Sequence, residues 1–357
     1  MIDNLKHKGD FSNLLLHWNR TENNREMPWK QVRDPYKIWL SEIILQQTRV
    51  EQGRSYYESF ISQFPDVHAL AKANDSDVFK LWEGLGYYSR CKNLIYTARF
   101  INNTLDGVFP NSYESLLELK GVGPYTAAAI SSFAFDIPQA VLDGNVIRVL
   151  ARFFGIDAPY QNQSGKAIFQ DLAQFLLDKE NPAEYNQAIM DFGATVCKPK
   201  GALCSECPMA NKCQAFLSNR VSELPFKISA KAKKIRWMVY VVAKFEDEVL
   251  IRLRTEKDIW QNLNEFILFE SPTEMNPTAV LQDNAMKKSI GSSYEVVHIS
   301  EGFQHILTHQ QLYLRFIIIH LKQKITTETH HYKKWNDLAE IAFPKAIIRF
   351  LETQVSS

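Results

Sequence analysis

Four of the chain's five cysteines fall within 17 residues, as Cys197-x6-Cys204-x2-Cys207-x5-Cys213. Few features constrain a fold more. Four sulfurs so close in sequence can wrap one tetrahedral ion or one cubane cluster, and so shape the loop that carries them. Pro208 follows the third cysteine and stiffens that loop. The other use of clustered cysteines, disulfide pairing, belongs to oxidising compartments. The N-terminus, MIDNLKHKGDFSN, has neither the apolar core nor the cleavage site of a secretory signal, so a reducing, cytoplasmic setting is expected. On this chemistry zinc and iron–sulfur both stay open. Cys91 stands apart and reads as buried filler.

With 357 residues the chain exceeds what one hydrophobic core usually organises, so two domains are expected. No apolar run reaches the roughly 18 residues of a spanning helix, and no membrane association is expected. The net charge of +1 conceals a local bias: residues 192–236 carry nine Lys and Arg against two acids. Lys227, Lys231, Lys233, Lys234 and Arg236 lie in an acid-free stretch. Such a run is either a solvated linker or a phosphate-facing stripe, and its place beside the cysteines favours the second.

Up to about residue 220 the sequence reads as helices joined by short connections. Asp34-Pro35 is a helix start, a capping carboxylate followed by proline at the first helical position. Further helices are expected over 75–82, 89–102, 112–119, 125–135, 145–154, 165–178 and 182–196. Beyond residue 220 come β-rich runs at 236–244 and 249–255 flanking Glu246-Asp247-Glu248, the pattern of a hairpin. Strands are also expected at 266–269, 294–299 and 312–321, with helices at 277–288 and 345–353. The expected division is an all-α domain over 1–221, a basic linker over 222–235, and an α+β domain over 236–357.

Two segments carry chemistry. In Leu119-Lys-Gly-Val-Gly-Pro-Tyr-Thr-Ala-Ala-Ala-Ile130, Gly121 and Gly123 make a tight turn between helices and the alanines permit close packing. The turn offers backbone N–H groups at a helix N-terminus to a phosphate oxygen, or is an ordinary helix corner. Asp143, in Val-Leu-Asp-Gly-Asn-Val-Ile-Arg148, either caps the next helix or serves as a reactive carboxylate.

The GVGPYT turn followed about 20 residues later by Asp143 resembles the helix–hairpin–helix DNA glycosylase superfamily. Taken with Trp39-Leu-Ser-Glu-Ile-Ile-Leu-Gln-Gln-Thr-Arg-Val50, Gly84-Leu-Gly-Tyr-Tyr-Ser-Arg90, LDGNV and the cysteine cluster, the chain is similar to MutY-type adenine DNA glycosylases over nearly all of its first 220 residues. The resemblance implies a [4Fe–4S] cluster on Cys197, Cys204, Cys207 and Cys213. It also implies a double-stranded DNA substrate in which adenine is mispaired with 8-oxoguanine or guanine. A monomer is expected, nucleoid-associated if the cell is bacterial.

Hydrolysis of a purine N-glycosidic bond needs a proton for the departing base and a negative charge beside the oxocarbenium-like sugar. Glu42, among Trp39, Leu40, Ile43 and Ile44, is expected to stay protonated as general acid. Asp143, beside helix N–H donors, is expected to stay ionised. By resemblance Tyr125 and Asn145 support Asp143 and the sugar. Endonuclease III relatives that also cut the strand carry a lysine where this chain has Tyr125. A tyrosine cannot form the required Schiff base, so monofunctional hydrolysis is expected. The base must be flipped out of the duplex. Gln47 and Tyr87 match residues that enter the helix near the lesion, and Thr48 matches a further contact. Arg25 is kept on the adenine side, whereas Lys30 stands where arginine is usual.

The C-terminal part resembles the Nudix-like domain that such enzymes use to read 8-oxoguanine. It lacks a Gly- and Glu-rich box after Phe269, so no pyrophosphatase activity is expected. Where the family carries Phe-Ser-His, this chain has Leu307-Thr308-His309, with Thr308 and His309 the expected lesion contacts. A thymine-mismatch glycosylase and a non-catalytic Fe–S DNA-binding protein are the alternatives. Single-domain organisation in the first, and the pairing of Glu42 with Asp143 against the second, weigh against them.

Overall fold

The computed structural model describes residues 8–228 and 232–355. The leading MIDNLKH segment and Lys231 of the basic stretch, both used above, lie outside the described residues. The chain forms two compact units, one of residues 8–72 and 93–228 and the other of residues 73–92 and 232–355. No helix among the described residues is long and apolar enough to cross a membrane.

The helices run α1 (Lys8–Thr21), α2 (Pro35–Leu45), α3 (Val50–Gln63), α4 (Val67–Lys72), α5 (Asp75–Leu81), α6 (Tyr88–Thr104), α7 (Tyr113–Leu117), α8 (Pro124–Phe135), α9 (Gly144–Phe154), α10 (Gln163–Leu176), α11 (Pro182–Thr195) and α12 (Gln214–Leu217). Local chemistry sets their starts. The Asp34 carboxylate accepts from the N–H groups of Tyr36 and Lys37, with Pro35 at the first turn. Asp143 does the same for α9 through Asn145 and Val146. The first unit's core gathers around α9, whose Val149, Leu150, Phe153 and Phe154 are buried with Phe11, Trp18, Phe169 and Phe192. Ala127, Ala128 and Ala129 of α8 are also buried, as their small size predicts. Helices α1, α3, α4 and the short α12 go beyond the sequence reading. Polar residues dilute the first two, and α3 carries Gly53 in its interior.

The second unit is built on β1 (Lys234–Phe245), β2 (Glu248–Leu253), β3 (Asn264–Glu265), β4 (Ile267–Ser271), β5 (Tyr294–Ile299), β6 (Phe303–Ile306), β7 (Gln310–Leu321) and β8 (His331–Lys334). Their central order is β3-β2-β1-β7-β5, with β4 beside β1, β6 beside β7 and β8 beside β2. The β1–β2 hairpin closes at Glu246-Asp247, with Phe245 opposite Glu248. Strands β1 and β7 pair in parallel from Lys234 opposite Gln310 to Lys244 opposite His320. Alternate residues of β1 serve opposite faces. Val239, Val241 and Ala243 pack with Val280 and Met286 of α13 (Pro277–Gln282) and α14 (Asn284–Ile290). Tyr240 stacks on Phe316, which stacks on Phe350 of α15 (Lys345–Val355) at 3.9 Å. The single helix expected over 277–288 is two, because Asp283 leaves the helical conformation and caps α14.

The basic stretch is not a uniform phosphate-facing stripe. Lys227, Lys233 and Lys234 are exposed, but Arg236 is 4% exposed. Its guanidinium pairs with Asp258 and Glu270 at 2.6 Å each and donates to Gln310 at 3.0 Å. Arg254 continues this network to Asp258 and to the buried Glu265. The local charge count is blind to these acids because they lie at least 22 residues away.

Candidate active site

A cavity of about 990 Å³ opens in the helical unit, and Arg25, Glu42, Gln47, Thr48, Gly121, Gly123, Tyr125, Asp143 and Asn145 all line it. Glu42 projects from α2 and is 7% exposed. Burial pushes its carboxyl up to about 7; contact with the Tyr125 hydroxyl opposes this, and the Asp143 charge adds to it. Glu42 thus holds its proton close to neutrality, as its apolar sequence setting predicts.

Asp143 caps α9. Its Oδ1 accepts from the N–H groups of Asn145 at 2.9 Å and Val146 at 2.8 Å, while Oδ2 accepts from Asn145 Nδ2 at 2.7 Å. Capping and exposure to the cavity are therefore one conformation, not alternatives. The N–H donors favour the ionised form, as expected, but burial works against them. Burial in the cavity wall raises its pKa, and the three N–H donors and Arg148 only partly offset that, so the net direction is up. Arg148 donates to Asn145 Oδ1 at 2.8 Å, which fixes the amide with its NH2 toward Asp143. The same guanidinium donates to the Cys197 carbonyl at 2.8 Å.

Behind another part of the wall the fully buried Asp191 gathers cations that line it. Arg25 Nη1 pairs with it at 2.8 Å and Lys30 Nζ at 3.1 Å; Lys30 also donates to the Arg25 carbonyl at 2.8 Å. Gln187 donates to Asp191 at 3.0 Å. Lys30 therefore remains on the cavity wall despite departing from arginine. Sequence reading missed Asp191, Gln187 and Arg148. Arg148 lay inside a quoted motif, and nothing local marked the other two.

Gln47 is exposed at φ 58° and Tyr87 is 42% exposed at φ 50°. Both adopt the left-handed backbone that non-glycine residues rarely take, a strain that functional positions tend to hold. Tyr87 is not a core aromatic. It lies in the second unit, where its hydroxyl hydrogen-bonds to Thr308 Oγ1. Leu307-Thr308-His309 forms the turn between β6 and β7, closed by the Leu307 N–H on the Gln310 carbonyl at 2.9 Å. Thr308 and His309 are exposed at its tip. The structure thus divides the sequence-named residues between the cavity and this hairpin tip.

The four clustered cysteines line one recess with Val149, Phe192, Val196 and Met209. Cys91 is separate and buried. Arg152 donates to Cys197 Sγ at 3.5 Å, and Cys213 Sγ lies 3.4 Å from the Arg152 carbonyl. An all-sulfur donor set with an adjoining guanidinium fits an anionic metal–thiolate centre. Among the described residues, no three His, Cys, Asp or Glu side chains converge on one metal-ion position.

Comparison with known proteins agrees with this layout. Residues 40–175 match the family described as HhH-GPD superfamily base excision DNA repair protein, and residues 238–353 match the NUDIX domain. An adenine DNA glycosylase of Buchnera aphidicola subsp. Schizaphis graminum is 33% identical over 350 residues, covering 96% of this chain and 98% of its own. The mouse adenine DNA glycosylase is 41% identical over 215 residues, 58% of this chain and 42% of the mouse protein. A solved thermostable thymine-DNA glycosylase aligns with a TM-score of 0.55 at 30% identity, covering 60% of this chain and 98% of its own. With helical unit, sheet unit and full-length relatives in accord, the chain belongs to the MutY-type adenine DNA glycosylase family.

Proposed function

We propose that this protein removes adenine mispaired with 8-oxoguanine or guanine in double-stranded DNA, by hydrolysis of the N-glycosidic bond and without cutting the strand. The observation that carries the reading is the buried Glu42, protonated up to about pH 7, sharing one cavity with the hydrogen-bonded carboxylate of Asp143. Glu42 gives a proton to the ring of the departing adenine, so that the base leaves neutral. Asp143 faces the developing sugar cation, whose positive charge favours the ionised carboxylate that burial alone disfavours. Asn145 and Tyr125 hold that carboxylate and the sugar in place. Water then adds to the cation and gives up a proton to the Glu42 carboxylate left by the first step. Tyr125 has no amine to trap the opened sugar, which leaves the strand intact.

Gly121 and Gly123 supply backbone N–H groups to a DNA phosphate, and Arg25 bounds the adenine side. Gln47 and Tyr87 enter the duplex near the lesion, Tyr87 stacking by the 8-oxoguanine with Thr48 beside the same base, while Thr308 and His309 read its edge. Cys197, Cys204, Cys207 and Cys213 would hold a [4Fe–4S] cluster. When bound, the cluster braces the loop bearing Lys198, Lys200 and Lys212. In a bacterial cell the enzyme would act as a monomer in the cytoplasm, on the nucleoid.

The similarity to a thymine-DNA glycosylase covers 60% of this chain, against 96% for the Buchnera adenine DNA glycosylase. The test is incubation of purified protein with duplexes containing A:8-oxoG, A:G, C:8-oxoG and T:G. Free adenine from the first two alone is expected. Thymine release from T:G would overturn the reading.

A further inference from the structure

Residues 73–92 lie within the helical part of the sequence but pack in the sheet unit. Two of their side chains reach the backbone that leads into α15. Glu83 Oε1 accepts the Phe343 N–H at 2.8 Å. Lys80 Nζ donates to the Ile341 carbonyl at 3.2 Å and pairs with Glu83 Oε2 at 2.6 Å. The intervening Ala342 carbonyl accepts from the backbone N–H and the side chain of Asn264 at 2.9 and 3.1 Å. The Ile341–Phe343 backbone is thus held by side chains from both sequence directions, and Phe343 itself is buried against Phe266.

Only Gly84-Leu85-Gly86 separates Glu83 from Tyr87. That link is itself held firmly: the Gly86 carbonyl accepts from Trp82 Nε1 at 3.0 Å and from Arg90 at 3.2 Å, and the Gly84 N–H donates to the Tyr88 hydroxyl at 3.1 Å. Displacement of Glu83 would therefore be carried to Tyr87 rather than absorbed, because the short link is tied at both ends and by the Leu85 N–H on the Trp82 carbonyl at 3.1 Å. At its far end Tyr87 meets Thr308.

We propose that Glu83, steadied by Lys80, is a positioning residue that sets Tyr87 against the Thr308 hairpin tip and so governs preference for 8-oxoguanine over guanine opposite adenine. This rests on the reading of Tyr87 and Thr308 as lesion contacts. Glu83 does not touch DNA in this role. It fixes the relative position of two groups that must meet one base together, and such geometric error is expensive in recognition.

The test compares Glu83→Ala, Glu83→Gln and a Tyr87→Phe/Thr308→Val double variant by single-turnover excision and by duplex affinity on A:8-oxoG and A:G. Glu83→Ala is expected to lower the A:8-oxoG preference about tenfold, the scale of one hydrogen bond to a charged group. A:G excision should stay close to that of the parent. Glu83→Gln keeps an oxygen for the Phe343 N–H and should retain most of the preference, which a simple charge effect would not. Adding Glu83→Ala to the double variant should change the preference little, because both act through one contact. If the double variant loses preference and Glu83→Ala does not, the positioning role is overturned and the lesion reading stands. If the double variant keeps full preference, the lesion reading falls and the inference with it. Equal loss on both duplexes in Glu83→Ala would also overturn it, showing a purely structural contact.

Discussion

Replacing Glu42 by glutamine should make the protein inactive and, above neutral pH, more stable. In the folded protein this carboxyl keeps its proton up to about pH 7, whereas an unperturbed glutamate releases it at 4.5. Folding thus takes up a proton between these values, and the sign follows. The stability associated with neutral Glu42 is complete below pH 4.5, falls as pH rises through the interval, and is fully lost above about 7. At about 1.36 kcal/mol per pH unit, the interval amounts to about 3 kcal/mol. Glutamine matches the neutral acid in shape, keeps an oxygen for Tyr125 and carries no charge to desolvate. Parent and variant should therefore unfold alike near pH 4.5, and the variant should gain up to about 3 kcal/mol by pH 8. Urea unfolding of both proteins across this range, followed by tryptophan fluorescence, measures the difference directly. Adenine release in the same preparations should be abolished, because an amide cannot deliver the proton. A stability difference independent of pH, or one favouring the parent at pH 8, would refute the reasoning that burial keeps Glu42 neutral. Near-normal turnover would refute its role as the acid.

Asp143→Asn should preserve α9, since asparagine caps as well as aspartate, yet lose about 10²–10³ in single-turnover rate from missing charge stabilisation. Asp143→Ala should lose the same rate and also about 1 kcal/mol of stability in thermal melts, the usual worth of a cap. Borohydride during turnover should trap no enzyme–DNA adduct, and strand breaks should need heat or alkali; an adduct formed on the catalytic pathway would contradict monofunctional hydrolysis. The purified protein should be brown, with a broad sulfide-to-iron absorption band. Cys204→Ser should weaken that band and DNA affinity together, whereas a colourless protein with stoichiometric zinc would exclude the iron–sulfur assignment.

Comparison of particular residues shows where local information suffices. Asp34-Pro35 and Asp143-Gly144-Asn145 specify helix starts through bonds spanning two or three residues, so their signals sit in the sequence itself. The apolar neighbours of Glu42 likewise announced a displaced proton affinity. For Asp143 the visible donors pointed one way and the burial, unseen in sequence, prevailed. Short strands such as β6, a half-exposed Phe303-Gln-His-Ile306, carry too few core-facing residues for a periodic signal. They exist because a neighbouring strand supplies the hydrogen bonds.

The sequence by itself determined the helical half and the sheet-bearing half, the principal caps and turns, the cysteine spacing, and the carboxylate and tyrosine identities of the cavity. These depend on residue type and short-range stereochemistry. Only the tertiary structure turned Arg236 inward onto Asp258 and Glu270, placed Asp191 behind Arg25 and Lys30, and grouped residues 73–92 with the sheet unit. Each of those outcomes hangs on partners tens to hundreds of residues away. A buried charge is stable only with its counter-charges in place, and their convergence is a property of the completed packing.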